Sequence, residues 1–216
     1  MFITFEGLDM SGKTTQALRV VAKLNAQPAG VSSPVRFLRE PGGTAISERI
    51  REMLLDKENL EMTGLAELLL FSASRAQLMH EVIRPALTRG EIVVCDRYCD
   101  STTAYQGYGR GIDLNAIRAI NEVATGKTLP DLTVFVDIPV DEIEHRRMLA
   151  GATFDRMESS GREFYERVRK GYHEIAAQEQ KRFVTIDGTA SIADVECEVW
   201  SHLVSRLESI QRERAY

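Results

Sequence analysis

The sequence has 216 residues, a length typical of one globular domain, and we expect residues 1–216 to form a single domain. Hydrophobic residues make up 44% and charged residues 27%, which excludes a disordered or fibrous chain. The 27 Lys and Arg residues are outnumbered by 32 Asp and Glu residues, and the net charge of −5 disfavours general binding to nucleic acid. Any anion-binding site must therefore be local.

The chain opens with an apolar stretch, residues 1–5, that is too short for a signal peptide or a membrane span. The three cysteines, Cys95, Cys99 and Cys197, are too scattered for a disulfide framework or a zinc site. The cysteine pattern fits a reducing compartment. We therefore expect a cytoplasmic protein that binds neither membranes nor nucleic acid.

Strands and helices are predicted to alternate in the first part of the chain. Residues 2–5 are β-rich and run directly into a glycine, which predicts a buried strand followed by a tight turn. Apolar residues at helical spacing then predict a helix that passes through Leu24 and ends before the loop-like residues 28–30. Residues 35–38 predict a second strand.

The middle of the chain is predicted to be mostly helical. Helical spacing predicts one helix over about residues 46–54 and a longer one over about 65–87, which Pro85 is expected to bend or end. The continuous apolar runs 92–95 and 132–136 are too short for helices and predict strands that are covered on both faces.

The last third of the chain repeats the alternation. Helices are predicted over about 140–149, from about 164 to 175 and over 192–207, and residues 183–186 predict a last strand. A polar, glycine-bearing segment, residues 150–161, separates the first two of these helices. Strands that alternate with helices indicate an α/β fold, with a parallel sheet and helices on both faces.

A phosphate-binding pattern follows the first predicted strand. Gly7 and Gly12 enclose four residues and are followed by Lys13 and Thr14. Backbone N–H groups of such a loop wrap phosphates, and the N-terminus of the next helix adds a favourable dipole. Lys13 is then expected to reach the β- and γ-phosphates and Thr14 to face Mg²⁺. The alternative is a glycine-rich turn that carries a surface lysine.

An acidic and a basic residue, Asp96 and Arg97, lie at the end of the third predicted strand. Ligands of open α/β sheets gather beyond the carboxyl ends of the strands, so Asp96 and Arg97 should lie near the phosphate loop. Asp96 is suited to hold Mg²⁺ directly or through water, and the planar guanidinium of Arg97 is suited to clamp a phosphate. A salt-bridged strand end is the alternative.

Several short segments occur in the order and approximate spacing of thymidylate kinases. They are FEGLD at 5–9, REPGG at 39–43, FSASR at 71–75, DRY at 96–98, AYQG at 104–107, PDLT at 130–133 and DRME at 155–158. The sequence therefore resembles a thymidylate kinase almost from end to end. The resemblance implies a three-layer phosphate-loop (P-loop NTPase-type) fold, with a five-stranded parallel sheet, helices on both faces and a short lid over about 150–161.

The resemblance implies an enzyme that transfers the γ-phosphoryl group of ATP to dTMP, giving ADP and dTDP. Mg²⁺ is the implied cofactor, and the long helices are implied to form a homodimer. Phe71 is implied to stack on the thymine, Arg75 to bind the base edge, and Tyr105 to lie beneath the deoxyribose. The implied dTMP-binding residues are Asp9, Arg39, Arg51, Phe71, Arg75, Arg97, Ser101, Thr102, Tyr105 and Gln106, with the choice between Ser101 and Thr102 left open.

Catalysis is expected to consist of positioning and charge stabilisation, because a monophosphate is already an anion at pH 7 and needs no protein base. The implied ATP-binding residues are Gly7, Leu8, Asp9, Met10, Ser11, Gly12, Lys13, Thr14, Thr15 and Arg146. The implied catalytic residues are Lys13, Arg97, Asp9, Arg156 and Arg147. Asp9 resembles the carboxylate that binds the 3′-hydroxyl of the acceptor. Met10 cannot supply charge, so Arg156, and after it Arg147, is expected to reach the transferring phosphate.

Other interpretations remain open. The nearest is a kinase for another monophosphate or for a deoxynucleoside, and a more distant one is a nucleotide-dependent switch or assembly ATPase. No Asn-Lys-x-Asp segment for reading guanine is obvious, which disfavours a switch. Without the resemblance, Phe71 would be a core residue and Arg51 a solvated helix charge.

Overall fold

A computed structural model of the protein describes residues 1–26, 33–151, 156 and 161–215. Within these ranges, five parallel strands form one sheet in the order β2-β3-β1-β4-β5. The strands are β1 Phe2–Glu6, β2 Val35–Arg39, β3 Ile92–Asp96, β4 Leu132–Asp137 and β5 Phe183–Asp187. This architecture confirms the predicted α/β fold class. Most of the predicted lid, 150–161, lies outside the described residues.

Helices join successive strands and cover both faces of the sheet. They are α1 Lys13–Ala26, α2 Ala45–Leu55, α3 Gly64–Leu78, α4 Arg84–Thr88, α5 Cys99–Thr102, α6 Leu114–Thr125, α7 Val140–Ala150, α8 Arg162–Gln178 and α9 Ile192–Ala215. Two π-helical segments, Met79–Ile83 and Thr103–Gly109, extend α3 into α4 and prolong α5. No helix of the described ranges is long and apolar enough to cross a membrane.

The sheet separates two layers of apolar side chains. On one face, Ile3 and Val94 pack with Val20 of α1 and Val199 of α9. On the other face, the core includes Phe135 of β4 and side chains of α3 and α8. Every residue of β1 and β3 is buried, as predicted for strands covered on both faces. Each fully buried large apolar side chain stabilises the fold by about 1.5–3 kcal/mol.

The predicted long helix over 65–87 is present, but Pro85 does not end it. The π-helical turn Met79–Ile83 precedes α4, and Pro85 stands in the first turn of that helix. Proline lacks an N–H group and its ring clashes with the carbonyl of the preceding turn, so a helix start or a widened turn is where it is tolerated. The helical path therefore continues to Thr88.

The second π-helical segment packs closely on α8. A Cβ at Gly109 would lie 2.6 Å from the Phe164 ring, and one at Gly171 would lie 2.6 Å from the Tyr108 ring. Any larger residue at these glycines would push the two elements apart. This close approach brings the tyrosines of α8 to the carboxyl ends of the strands.

Candidate active site

The phosphate loop connects β1 to α1. Gly7 adopts a φ of +143°, and a Cβ at this position would lie 2.4 Å from the carbonyl oxygen of Val136 in the adjacent strand. Gly12 adopts a φ of +89° just before α1 begins at Lys13. Only glycine fits both the close strand contact and these left-handed conformations. The loop is thereby shaped at the N-terminus of α1, where phosphates bind readily.

The ammonium of Lys13 lies over this loop. Its side chain is buried, and Nζ donates a hydrogen bond to the carbonyl oxygen of Leu8 at 3.2 Å. Burial, together with the nearby charge of Arg97, lowers the pKa of Lys13. The site therefore holds a cation at a cost that bound phosphates would offset.

Thr14 and Asp96 lie side by side at the ends of α1 and β3. The hydroxyl of Thr14 donates to Oδ2 of Asp96. Oδ1 of Asp96 is buried, and it accepts no hydrogen bond from any residue that the structure describes. A buried carboxylate oxygen without a partner is costly, and carboxylate and hydroxyl oxygens are ligands that Mg²⁺ prefers. The two residues therefore fit a Mg²⁺ ion.

A donor pocket opens over the N-terminus of α1. Its lining residues are Met10, Ser11, Gly12, Lys13, Thr14, Thr15, Gln16, Arg146, Gly188, Ala190, Ile192 and Val195. Arg146 of α7 donates from Nη1 to the carbonyl oxygens of Met10 and Ser11, at 3.2 and 3.3 Å, and from Nη2 to that of Gly188 at 2.7 Å. Arg146 therefore joins the phosphate loop to the turn after β5.

Arg97 connects the phosphate loop to a second pocket. Its Nη1 donates to the carbonyl oxygen of Gly7 at 3.0 Å and to Oγ of Ser101 at 3.1 Å. Its Nη2 donates to Oδ1 of Asp9 at 2.5 Å and to the hydroxyl of Tyr105 at 3.1 Å. Arg97 adopts a φ of +70°, a conformation that is rare outside glycine and typical of functional sites.

Asp9 of the loop is the anion that faces Arg97. Burial alone would raise the pKa of its carboxyl, but Arg97 and Lys13 hold that pKa below its ordinary value. The hydroxyls of Tyr105 and Tyr165 both donate to its Oδ2, each at 3.2 Å. Asp9 is therefore fixed as a charged acceptor of hydrogen bonds, which suits a sugar hydroxyl.

The acceptor pocket lies beyond Arg97, on the side of α3. Its lining residues are Asp9, Glu40, Pro41, Arg51, Phe71, Arg75, Arg97, Ser101, Thr102, Tyr105 and Gln106. All the residues predicted to bind dTMP are brought together here except Arg39. Phe71 is only partly buried, although it packs against the core, and it lies one helical turn before Arg75.

Arg75 is buried, and most of its N–H groups are already bound. Nε donates to Oε2 of Glu40 at 2.8 Å, and Nη2 donates to the carbonyl oxygen of Tyr98 at 3.0 Å. Nη1 donates to Oγ1 of Thr102 at 2.9 Å and to Oδ1 of Asn121 at 3.3 Å. A guanidinium has five N–H groups. With respect to the described residues, one Nη2 hydrogen is left for a ligand.

The hydroxyls of Ser101 and Thr102 have different partners. Oγ of Ser101 donates to Oε2 of Glu6 at 2.5 Å, which uses its only proton. Oγ1 of Thr102 accepts from Arg75, so its proton remains available to another acceptor. Of the two residues left open by the sequence, the geometry favours Thr102 as the one that donates to a base.

The chain is similar to known proteins over almost its whole length. A family model described as thymidylate kinase matches residues 5–199. The chain belongs to the thymidylate kinase family. It is 44% identical over 217 residues to thymidylate kinase from Pelodictyon phaeoclathratiforme, covering 97% of this chain and 98% of that protein. It is 46% identical over 195 residues to thymidylate kinase from Kosmotoga olearia, covering 90% and 91% of the two chains.

A solved structure supports the same family. The crystal structure of thymidylate kinase from Ehrlichia chaffeensis matches this fold with a TM-score of 0.75 at 37% identity, covering 94% of this chain and 97% of that one. The resemblance seen in the sequence is thus confirmed, and so is the predicted phosphate-loop fold. Members of the thymidylate kinase family are phosphotransferases, and this protein is therefore an enzyme of that class.

Among the predicted residues of this kinase site, Arg39 does not line the acceptor pocket, and Leu8 of the loop does not line the donor pocket. The Arg39 side chain is exposed and pairs with Glu48 at 3.0 Å, so its predicted contact with dTMP has no support in this geometry. The side chain of Leu8 is fully buried in the core, and its carbonyl oxygen accepts hydrogen bonds from the backbone N–H of Ser11 and from Lys13. Arg51 does line the acceptor pocket, and its Nη1 donates to the carbonyl oxygen of Pro41 at 3.0 Å.

Neither of the arginines chosen for the transferring phosphate lines the donor pocket. Arg156 donates from Nε to the carbonyl oxygen of Leu54 at 2.8 Å and pairs through Nη1 with Glu67 at 2.8 Å. Arg147 is buried, and it points about 100° away from Arg146, the neighbouring residue of α7 that faces the loop. Their contact with the transferring phosphate therefore stays a prediction.

The sequence interpretation missed a buried network behind Arg97. Glu6 accepts hydrogen bonds from the backbone N–H of Tyr98 at 2.7 Å, and from the hydroxyl of Tyr172 at 2.8 Å in addition to Ser101. Burial raises the pKa of Glu6 to about 7. Tyr165 and Tyr172 lie seven residues apart on one face of α8, and this spacing was a signal for their shared orientation.

Proposed function

We propose that this protein transfers the γ-phosphoryl group of ATP to dTMP, giving ADP and dTDP for dTTP synthesis. One observation carries the proposal beyond family membership. Adjacent residues of a single loop line two pockets, Met10 the donor pocket and Asp9 the acceptor pocket. Two phosphorylated substrates held on either side of this loop would meet near Arg97, which suits direct transfer between them.

On the donor side, the phosphate loop and Lys13 bind the phosphates of ATP. Thr14 and Asp96 would hold Mg²⁺, which neutralises phosphate charge when bound. Arg146 keeps the loop joined to the turn that carries Gly188, and this turn borders the same pocket. Gly12 and Thr15 complete the loop at the start of α1.

On the acceptor side, no residue needs to act as a base, since the second pKa of a phosphate monoester is about 6. Arg97 binds the acceptor phosphate and holds it in line with the γ-phosphoryl group. Asp9 accepts a hydrogen bond from the 3′-hydroxyl of the deoxyribose, and Tyr105 lies beneath the sugar. Catalysis then consists of alignment and of charge neutralisation by Lys13 and Arg97.

Phe71 stacks on the base, and its removal tests the acceptor pocket. Phe71→Ala should raise the KM for dTMP by roughly tenfold or more, because stacking of a base on an aromatic ring is worth about 1–3 kcal/mol. The KM for ATP should stay unchanged, because Phe71 does not line the donor pocket. Steady-state kinetics with each substrate varied in turn measures both values. An equal rise in the two KM values would show that Phe71 is a structural residue and does not stack on the base.

The activity itself is tested by a coupled assay of ADP release with ATP and Mg²⁺. The acceptors dTMP, dUMP, CMP, UMP, AMP, GMP and thymidine are offered in parallel. Strong preference for dTMP is the expected result. Turnover with another acceptor would favour the kinase for a different nucleotide or nucleoside, and ATP hydrolysis without any acceptor would favour a switch or assembly ATPase.

The protein is also proposed to act as a homodimer in the cytoplasm, with residues 1–216 as one kinase domain and a lid over about 150–161. Helix α3 packs between α2 and α6, and these helices expose several large apolar side chains. They are Ile46, Met53, Leu65, Leu69, Leu114 and Val123. Burying such side chains between two copies would remove them from water.

A charge on this apolar face should prevent association. Leu69→Asp is expected to convert the dimer to a monomer, measured as a halved mass in light scattering. Leu18→Asp is the matched control, because Leu18 is equally exposed but lies on α1, which packs on the opposite face of the sheet. A monomeric wild type, or loss of the dimer in both variants, would contradict this interface.

A further inference from the structure

A buried carboxylate lies behind the base pocket. Glu67 belongs to α3 and precedes Phe71 and Arg75 by one and two helical turns, so the three side chains share one helix face. Glu67 is only 1% exposed, and it does not line the acceptor pocket. Any influence of Glu67 on a bound nucleotide must therefore act through a neighbouring side chain.

Three side chains surround this carboxylate: Gln106 and Arg110 donate hydrogen bonds to it, and Arg156 forms an ion pair with it. Nε2 of Gln106 binds Oε1 at 2.9 Å. Nε and Nη2 of Arg110 bind Oε1 and Oε2, both at 3.2 Å, and Nη1 of Arg156 pairs with Oε2 at 2.8 Å. The two guanidinium groups compensate the buried negative charge, so both oxygens of Glu67 act as acceptors.

This arrangement fixes the orientation of the Gln106 amide. An amide carries an acceptor oxygen and a donor NH₂ group on the same carbon, facing different directions. Because Glu67 offers only acceptors, Nε2 of Gln106 must face it and Oε1 must face away. The reversed amide would bring two oxygens together in a buried place, which is costly. None of the described residues donates to Oε1, and Gln106 lines the acceptor pocket.

Gln106 and Arg75 then present a donor and an acceptor to the same pocket. Arg75 offers its remaining Nη2 hydrogen, and Gln106 offers Oε1. Thymine and uracil carry an acceptor, O4, next to the donor N3–H, which matches this pair. Cytosine carries a donor, the 4-amino group, next to the acceptor N3, and it opposes the pair at both positions. If the Gln106 amide could turn over, the pocket would no longer hold an acceptor in this place, and discrimination against cytosine would rest on Arg75 alone.

We propose that Glu67 is a positioning residue that determines base specificity, because it holds the carbonyl oxygen of Gln106 towards the base. The inference rests on the proposed function, since thymine must occupy the acceptor pocket. Glu67 thereby selects pyrimidines that carry N3–H over cytosine without touching the nucleotide. Arg110 and Arg156 balance the buried charge of Glu67, whereas the direction of the Gln106 amide depends on the contact between Gln106 and Glu67.

The test is Glu67→Gln, with kcat/KM measured for dTMP, dUMP and dCMP. An amide at position 67 can donate as well as accept, so Gln106 becomes free to turn over. The preference for dTMP over dCMP should fall at least about tenfold, as expected for the loss of one buried hydrogen bond of defined direction. The preference for dTMP over dUMP should not change, because these two bases differ only in the 5-methyl group.

Arg110→Met is the matched control. It removes a guanidinium from Glu67 but leaves the bond between Glu67 and Gln106, so the preference for dTMP over dCMP should be retained. Gln106→Leu should lower that preference, and adding Glu67→Gln to it should lower the preference no further, since both changes act on one contact.

Three results would overturn the proposal. They are an unchanged dTMP to dCMP preference in Glu67→Gln, an equal fall of both preferences, or an equal fall in Arg110→Met. If Glu67→Gln does not fold, Glu67→Asp answers the same question, because it keeps the charge for the arginines but withdraws the carboxylate from Gln106. The wild-type protein tests the proposed function separately. If it does not phosphorylate dTMP, the proposed function is wrong. If it does, and only the variants fail to show the expected change in base preference, the role of Glu67 is wrong.

Discussion

Lys13→Ala should lower kcat for the transfer of phosphate to dTMP on the order of 10³-fold. The ammonium of Lys13 is buried over the phosphate loop, where it is ready to neutralise charge that develops on the transferring group. Burial lowers the pKa of this lysine, which means that the charged side chain destabilises the free enzyme. The melting temperature of the variant should therefore be unchanged or slightly raised, while turnover is lost.

Coupled ADP release and thermal unfolding measure the two effects. Lys23→Ala is a suitable control, since Lys23 belongs to the same helix but pairs with Glu196 at the surface. It should keep full activity. Unimpaired turnover in Lys13→Ala would disprove the assignment of the donor site, and a large drop in melting temperature would show that the loss reflects unfolding.

Arg97→Lys should lower kcat by roughly 10²-fold, although it keeps the positive charge. The two terminal nitrogens of Arg97 reach different partners, the carbonyl oxygen of Gly7 and the carboxylate of Asp9. A single ammonium cannot hold both while also binding the acceptor phosphate. The effect should therefore fall on kcat more than on the KM for ATP.

The same steady-state assay separates kcat from the two KM values. Arg36→Lys provides the comparison, because Arg36 pairs with Glu91 at the far end of the sheet and lines neither pocket. Its kinetics should match those of the wild type. Full activity of Arg97→Lys would show that any cation suffices at this position. It would disprove the proposal that Arg97 holds the acceptor phosphate in line with the γ-phosphoryl group.

The sheet and the donor site could be predicted from the sequence because their signals are local. Each strand is a short apolar run, and the phosphate loop is fixed by the spacing of Gly7, Gly12 and Lys13. Pro85 was harder to interpret, since the widened turn before it depends on helix packing rather than on the proline itself.

The network behind the acceptor pocket could not be predicted in the same way. Glu67 and Arg156 are far apart in sequence, and only the packing of the chain brings them within 2.8 Å. From the sequence alone, Arg156 lies in a polar segment and could bind phosphate, because its ion pair with Glu67 is not visible there. Glu6 was similarly concealed, because a carboxylate at the end of a buried strand reveals nothing about Tyr172 of a distant helix.

The π-helical segment Thr103–Gly109 has a consequence for how this enzyme can vary. Four consecutive residues, 104–107, are buried there, which is wider than the buried stripe of a regular surface α-helix. Deleting one residue would restore the α-helical period and rotate the following side chains by about 100°. Preferences for other acceptor nucleotides should therefore arise through substitutions within this segment. Insertions or deletions in it should abolish activity.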